Sequence, residues 1–325
     1  MSIPRKFAST FSDEISSYLK LRQSQGHQYL REGLYFSSLD RYLLAENIKE
    51  KELTASVVEG WLQSLPAGMS VNTKIVYISH YSGFAKYLHS LGFKAFVPER
   101  PIDDKSYAPY VFSSAEIGQI FSVADNQDSF RGSRFVNLHF PVLLRILYGC
   151  GLRLQEALNL QVGDADLGFG VLFVRKGKDN KDRLVPIDNS LYEILSRYIS
   201  LYCKNTPKNM PLFPNDKGEP HTGVMFRFWF NRTLEAAGIE KLSLPRYSRN
   251  ICPHCMRHTF AVHSFRNQDR AGADMYVASP FLSAYMGHYN ILGTEKYLHM
   301  TAENSTDIIE KTMEYTSGLF PEVPQ

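Results

Sequence analysis

The chain has 325 residues, with 36 lysines and arginines against 33 aspartates and glutamates; a formal charge of +3 points to no class of partner, so any basic surface must come from placement. A hydrophobic fraction of 44% with 13% aromatics excludes a disordered chain, and at roughly 100–200 residues per domain the length suggests two domains with cores of their own. Cys150, Cys203, Cys252 and Cys255 are too few and unevenly spaced for a secreted disulfide framework, and neither a signal-peptide pattern nor an apolar run of membrane-spanning length is present, so a cytoplasmic protein without membrane contact is expected.

The first hundred residues read as helices. Phe11 to Leu21 and Tyr29 to Leu44 both carry apolar residues at helical spacing. Leu53 to Leu65 repeats the pattern, and Ser70 is placed to cap a helix running through Tyr77, Phe84 and Tyr87 to Leu91, where Gly92 ends it. No strand pattern interrupts this region. Residues 98–110 are rich in proline and charge, which suits a linker between a helical domain at 1–97 and a second domain at 111–302. That domain opens on Ser113 and Glu116 at capping-box spacing. An apolar segment, Phe140 to Tyr148, meets Gly149-Cys150-Gly151, and the helical pattern restarts at LRLQEALNL, which puts Arg153 in the first turn after a glycine break. The β-rich runs at 171–176 and 183–187, separated by GKDNKD, predict a hairpin with a basic tip, the one sheet expected in the chain. Further helices are expected at Asn189 to Cys203, Gly223 to Ala237, His254 to Phe265, from Ser279-Pro280 as cap and first turn to Gly287, and at Thr301 to Tyr315. The fold class is therefore mainly α with a small antiparallel β-hairpin or sheet in the second domain.

Several residues in this frame can carry chemistry. His254 and Arg257 lie three apart in a helix and can face one ligand. Arg153 sits at a helix start, where free N–H groups and the dipole favour an anion. Gly287-His288 is followed nine residues after the histidine by Tyr297, which adds a second imidazole and a phenol. Singly, each has an ordinary explanation as a surface pair, a cap or a packed aromatic. Cys252-Pro253-His254-Cys255 has a zinc-ligand spacing but no second Cys/His pair at finger spacing, so buried free thiols are expected there and no metal.

Taken together, G-L-R-x-x-E, then GKDNKDRLVPI, then H-x-x-R-H-T-F, then M-G-H and Y-L-H resemble the tyrosine site-specific recombinases, or phage integrases, in order and spacing. The resemblance covers about residues 110–300 and implies that the helical first domain is the family's core-binding domain. It makes Tyr297 the nucleophile, Arg153 and Arg257 the phosphate clamp, His254 and His288 the two active-site histidines, Lys178 the general acid on the hairpin, and Glu156 the carboxylate behind the clamp. Lys176 and Lys181 also lie near the tip, but Lys178 overlays the family pattern G-K-G-N-K-E-R-x-V-P; Asp179 stands where that pattern has its second glycine. The resemblance implies double-stranded DNA as substrate, two protomers per site and a homo-tetramer on synapsed sites with a Holliday junction between the two exchanges, with a partner recombinase or accessory protein as a further possible component.

Elementary chemistry explains this set. A phosphodiester repels an anionic nucleophile, and its transition state places more charge on the non-bridging oxygens, which two always-protonated arginine forks can meet bidentately. Lysine offers no such fork, so Arg153→Lys or Arg257→Lys is not conservative. Forming a tyrosinate at pH 7 costs about 4 kcal/mol, which His254 as proton acceptor or the field of the arginines must supply. The 5′ oxygen leaves as an alkoxide unless a proton reaches it, a task for an ammonium on the hairpin tip. The scheme needs no cofactor, and the 3′-phosphotyrosyl bond conserves energy for rejoining.

Lys74, His80 and Lys86 in the first domain, and Arg246 and Arg249 ahead of His254, are the candidate DNA contacts. In the tail, residues 303–325, Ile308, Ile309, Thr312 and Met313 fall on one helical face ahead of Leu319-Phe320, and the resemblance implies docking on a neighbouring protomer. Rival readings are an idle DNA-binding relative, which would be expected to have lost one of the five motif residues, a relaxing topoisomerase, and a recombinase that resolves replicon dimers. The Cys252-Pro253 step and the ASPFLSAYMGH approach to His288 favour a mobile-element integrase.

Overall fold

The computed structural model describes residues 6–25, 32–102, 108–126, 135–175, 177, 181–241, 250–287, 294 and 297. The chain divides after Ala108 into two compact units. In the first, helices α1 (Ser12–Ser24), α2 (Glu32–Ala45), α3 (Ala55–Ser64) and α4 (Val71–Ser90) enclose an aromatic core that includes Phe11, Tyr18, Phe36, Trp61, Tyr81 and Phe84. The Ser70 hydroxyl accepts the Thr73 N–H at 3.2 Å and so starts α4 as its sequence implies. One expectation fails here. Glu52–Leu53 (β1) and Lys94–Ala95 (β2) pair in parallel, so the region does hold a sheet. Two residues per strand are too few to write a period-two pattern, and the pairing joins segments about forty residues apart, which no local signal announces.

In the second unit, α5 (Ser114–Asp125) opens on the expected capping box: Ser113 accepts from the Glu116 N–H and the Glu116 carboxylate accepts from the Ser113 N–H. Helix α6 (Phe140–Gly149) buries Leu143, Leu144, Ile146 and Leu147 at the centre of the largest core. The short α7 (Leu154–Leu158) follows the glycine break. The sheet has three antiparallel strands, β3 (Ala165–Asp166), β4 (Val171–Val174) and β5 (Arg183–Pro186), in that order, with Val174 opposite Arg183 at the tip end. Helices α8 (Asn189–Tyr202), α9 (Gly223–Ala236) and α10 (His254–Arg270) follow, α10 continuing beyond Phe265.

The expected start of the last helix is wrong. Helix α11 spans Met275–Met286, and the Asp274 carboxylate caps it by accepting the Tyr276 and Val277 N–H groups at 2.8 and 3.4 Å. Pro280 lies inside the helix and Ser279 is buried. A proline there deletes the N–H that would meet the Tyr276 carbonyl, a gap confined to the first turns of the helix. Gly287 ends α11 in the left-handed region at φ +66°. The helix expected at Thr301 to Tyr315 lies outside the described residues.

Candidate active site

The site begins at the break between α6 and α7. Gly151 has φ +58°, and a Cβ there would lie 2.3 Å from Phe260 Cδ1, so both backbone and packing require glycine. The turn aims the Gly151 carbonyl at Arg257, whose Nη1 donates to it at 2.6 Å. Two residues on, Arg153 is the N-cap of α7.

Glu156, in the first turn of α7, organises the arginines. Its Oε2 accepts the Arg153 backbone N–H at 2.9 Å and Arg183 Nη2 at 2.8 Å; its Oε1 accepts Arg153 Nη1 at 2.8 Å and Arg183 Nη1 at 3.1 Å. Burial pushes this carboxyl upward, but the Arg183 fork and the Arg153 contacts outweigh it and hold the pKa at about 2. The carboxylate is therefore ionised at any working pH.

The C-terminus of α11 supplies the second anchor. A helix end leaves its last carbonyls without intrahelical partners and carries the negative end of the dipole. Three consecutive carbonyls there each accept from a different arginine: Tyr285 from Arg183 Nε at 3.1 Å, Met286 from Arg257 Nη2 at 2.8 Å, and Gly287 from Arg153 Nη2 at 3.1 Å. Arg257 is 1% exposed, and burial, then repulsion from Arg153, lower its pKa to about 10, which leaves it charged at neutral pH.

On α10, His254 is exposed while Arg257 and His258 are buried. The His254 and His258 rings meet edge-on, 4.5 Å between centroids. The Tyr297 hydroxyl and His258 Nδ1 are hydrogen-bonded at 2.7 Å, and the Tyr297 ring, 1% exposed, packs with Ala261, Val262, Phe265, Leu282 and Met286. The phenol thus lies between α10 and α11, against an imidazole.

Arg153, Glu156, Arg257, His254 and Tyr297 are all brought to α7, α10 and the end of α11. Lys178, His288, Arg246 and Arg249 lie outside the described residues. In the first unit, Lys74, His80 and Lys86 are spaced six apart on α4, which puts them about 120° from one another around the axis and not on one face. His80 stacks on Tyr35 with centroids 4.8 Å apart, and burial lowers its pKa, which favours the uncharged ring. Two residues received no role from the sequence. His258 lies one helical turn after His254 and thus on the same face, which is the signal for it. Arg183 lies two residues before buried Val185 on β5 and so on the same face, and an inward-facing charge calls for a partner.

A buried phenol on an imidazole lies beside two arginine forks fixed by one helix end, the residue types that tyrosine-nucleophile phosphoryl transfer calls for. Residues 111–304 match the phage integrase family, and the chain belongs to it: it is a tyrosine recombinase, an enzyme of site-specific DNA strand transfer. It is similar to tyrosine recombinase XerC of Thermodesulfovibrio yellowstonii, 24% identical over 91% of this chain and 93% of the relative. It is 28% identical to a tyrosine recombinase of Thermosipho africanus over 72% of this chain and 74% of that one. Its fold is similar to that of the Tn1549 transposon integrase in complex with transposon right-end DNA, at a TM-score of 0.63 and 20% identity, covering 94% of this chain and 99% of the other.

Proposed function

We propose that Tyr297 attacks a DNA phosphodiester held by Arg153 and Arg257, forming a 3′-phosphotyrosyl bond as the 5′ oxygen leaves with a proton from Lys178. The observation that carries this reading is the fixing of both arginines by adjacent carbonyls of α11, Met286 and Gly287, while Tyr297 packs on the same helix. Among the described residues Arg153 spends two of its five N–H donors on Glu156 and Gly287, leaving three to meet phosphate oxygens. The phenol oxygen exchanges its hydrogen bond to His258 for the bond to phosphorus. His258 or the exposed His254 takes the phenol proton, and His288 completes the oxygen contacts. A 5′-OH from another strand then reverses the step and rejoins the DNA.

Two protomers on each of two duplex sites form the working tetramer, with residues 303–325 docked on a neighbour and a Holliday junction between the two exchanges. The first unit and the segment with Arg246 and Arg249 contribute DNA contacts. The biological setting is integration or excision of a mobile element in the cytoplasm, supported by the ASPFLSAYMGH segment before Tyr297. The test is covalent trapping on nicked suicide duplexes spanning candidate element junctions, in EDTA. A denaturation-resistant adduct that Tyr297→Phe abolishes is the expected result; specific binding without any adduct overturns the reading.

A further inference from the structure

Arg183 enters no step of the chemistry above, yet among the described residues its guanidinium makes three hydrogen bonds at the site, against two for the guanidinium of Arg153 and two for that of Arg257. Its fork grips both oxygens of Glu156, at 3.1 and 2.8 Å, and its Nε reaches the Tyr285 carbonyl at 3.1 Å. The side chain is 12% exposed. A Cβ on Gly287 would lie 3.0 Å from its Nη1, and a Cβ on Gly177, at the hairpin, would also lie 3.0 Å from Nη1, so glycine at both positions leaves room for this guanidinium. Tyr285 adds a second tie between α11 and the hairpin, its hydroxyl donating to the Pro186 carbonyl at 2.8 Å.

The consequence for Arg153 follows from counting lone pairs. A carboxylate offers about four acceptor positions. On Glu156 two are filled by Arg183, one by the Arg153 backbone N–H and one by Arg153 Nη1. With Arg183 in place, Glu156 takes a single bond from the Arg153 guanidinium. Remove Arg183 and two positions open beside a neighbouring arginine, which closes on them as a bidentate pair, the preferred geometry of the two groups. The fork that was left for phosphate then faces the wrong way.

We infer that Arg183 is a positioning residue for strand cleavage: by saturating Glu156 and tying β5 to the end of α11, it keeps the Arg153 fork turned toward the scissile phosphate. It touches no reacting atom. The inference rests on the phosphate-clamp role proposed for Arg153.

The test is single-turnover cleavage of a nicked suicide duplex by the full chain, with affinity for an uncleavable duplex measured in parallel. Wild-type adduct formation, lost in Tyr297→Phe, is the internal check; without it the proposed function itself fails, and the Arg183 comparison is not the cause. Given that check, Arg183→Met is expected to cleave about 10- to 100-fold more slowly, the usual effect of removing a group that orients an active-site ligand, with affinity changed less than threefold. Methylguanidinium added to Arg183→Met should restore part of the rate by refilling the slot, an effect that simple loss of fold would not show. Should Arg183→Met fail to fold, Arg183→Lys, which keeps the charge and loses the fork, is read against the same thresholds. Cleavage within threefold of wild type in the folded variant, or equal loss of rate and affinity with no rescue, overturns the inference.

Discussion

Replacing Gly151 by alanine strikes the site through its backbone. At φ +58° a side chain in the left-handed region costs about 1–2 kcal/mol. The new Cβ would also lie 2.3 Å from Phe260 Cδ1, 2.9 Å from Cε1 and 3.0 Å from Cγ, far inside contact distance. Phe260 has little room to yield, because its ring stacks on Tyr285 at 5.5 Å and Tyr285 is itself tied to Pro186. Overpacking of this kind adds about 1–3 kcal/mol. The sum, about 2–5 kcal/mol, corresponds to a fall of roughly 5–20 °C in Tm for a domain of this size. Cleavage should fall further than stability explains, since the displaced Gly151 carbonyl is the one that holds Arg257 at 2.6 Å. Urea unfolding of wild type, Gly151→Ala, Phe260→Leu and the double variant gives the coupling energy. About 1–3 kcal/mol of the damage should be regained when Phe260 is trimmed, leaving the backbone part. A Gly151→Ala loss below 1 kcal/mol, or no coupling to Phe260, refutes the account of this turn.

Two further outcomes are expected. Glu156 has its pKa lowered from about 4.5 to about 2 in the folded state, so it contributes stability that is fully present above about pH 4.5 and is lost as pH falls toward 2; the difference amounts to about 3 kcal/mol. Glu156→Gln should flatten that acid limb in urea midpoints measured from pH 6 to 2, and an unchanged acid limb would show that the carboxylate is not held as described. Lys178→Ala should slow cleavage of an ordinary duplex by about 10²-fold or more. A substrate with sulphur at the 5′ bridging position, whose thiolate leaves without a proton, should restore the rate; failure of that rescue assigns the general acid elsewhere, Lys181 first.

The chain's own pattern determined most of what is local. Helices with a strong stripe and a short-range cap, such as the one Ser70 starts and the one Ser113 and Glu116 start, are written within four residues of their ends, and the structure has them there. Of the residues that motif spacing singles out, Arg153, Glu156, His254, Arg257 and Tyr297 lie among α7, α10 and the end of α11, and Lys178 and His288 lie outside the described residues. Where the chemistry of one residue depended on partners far away in sequence, the pattern was silent. A two-residue parallel bridge carries no periodicity, and Ser279-Pro280 has the local pattern of a helix start although the Asp274 carboxylate six residues before Pro280 caps α11 and leaves the proline inside it. Arg183 is the sharpest case. Along the chain it is one more charge at a basic hairpin, and only the folding of β5 against the end of α11 sets its guanidinium across both oxygens of Glu156. Residue types at fixed spacing declare what chemistry is available; which arginine bonds to which carbonyl and carboxylate is decided by the groups that tertiary structure brings together.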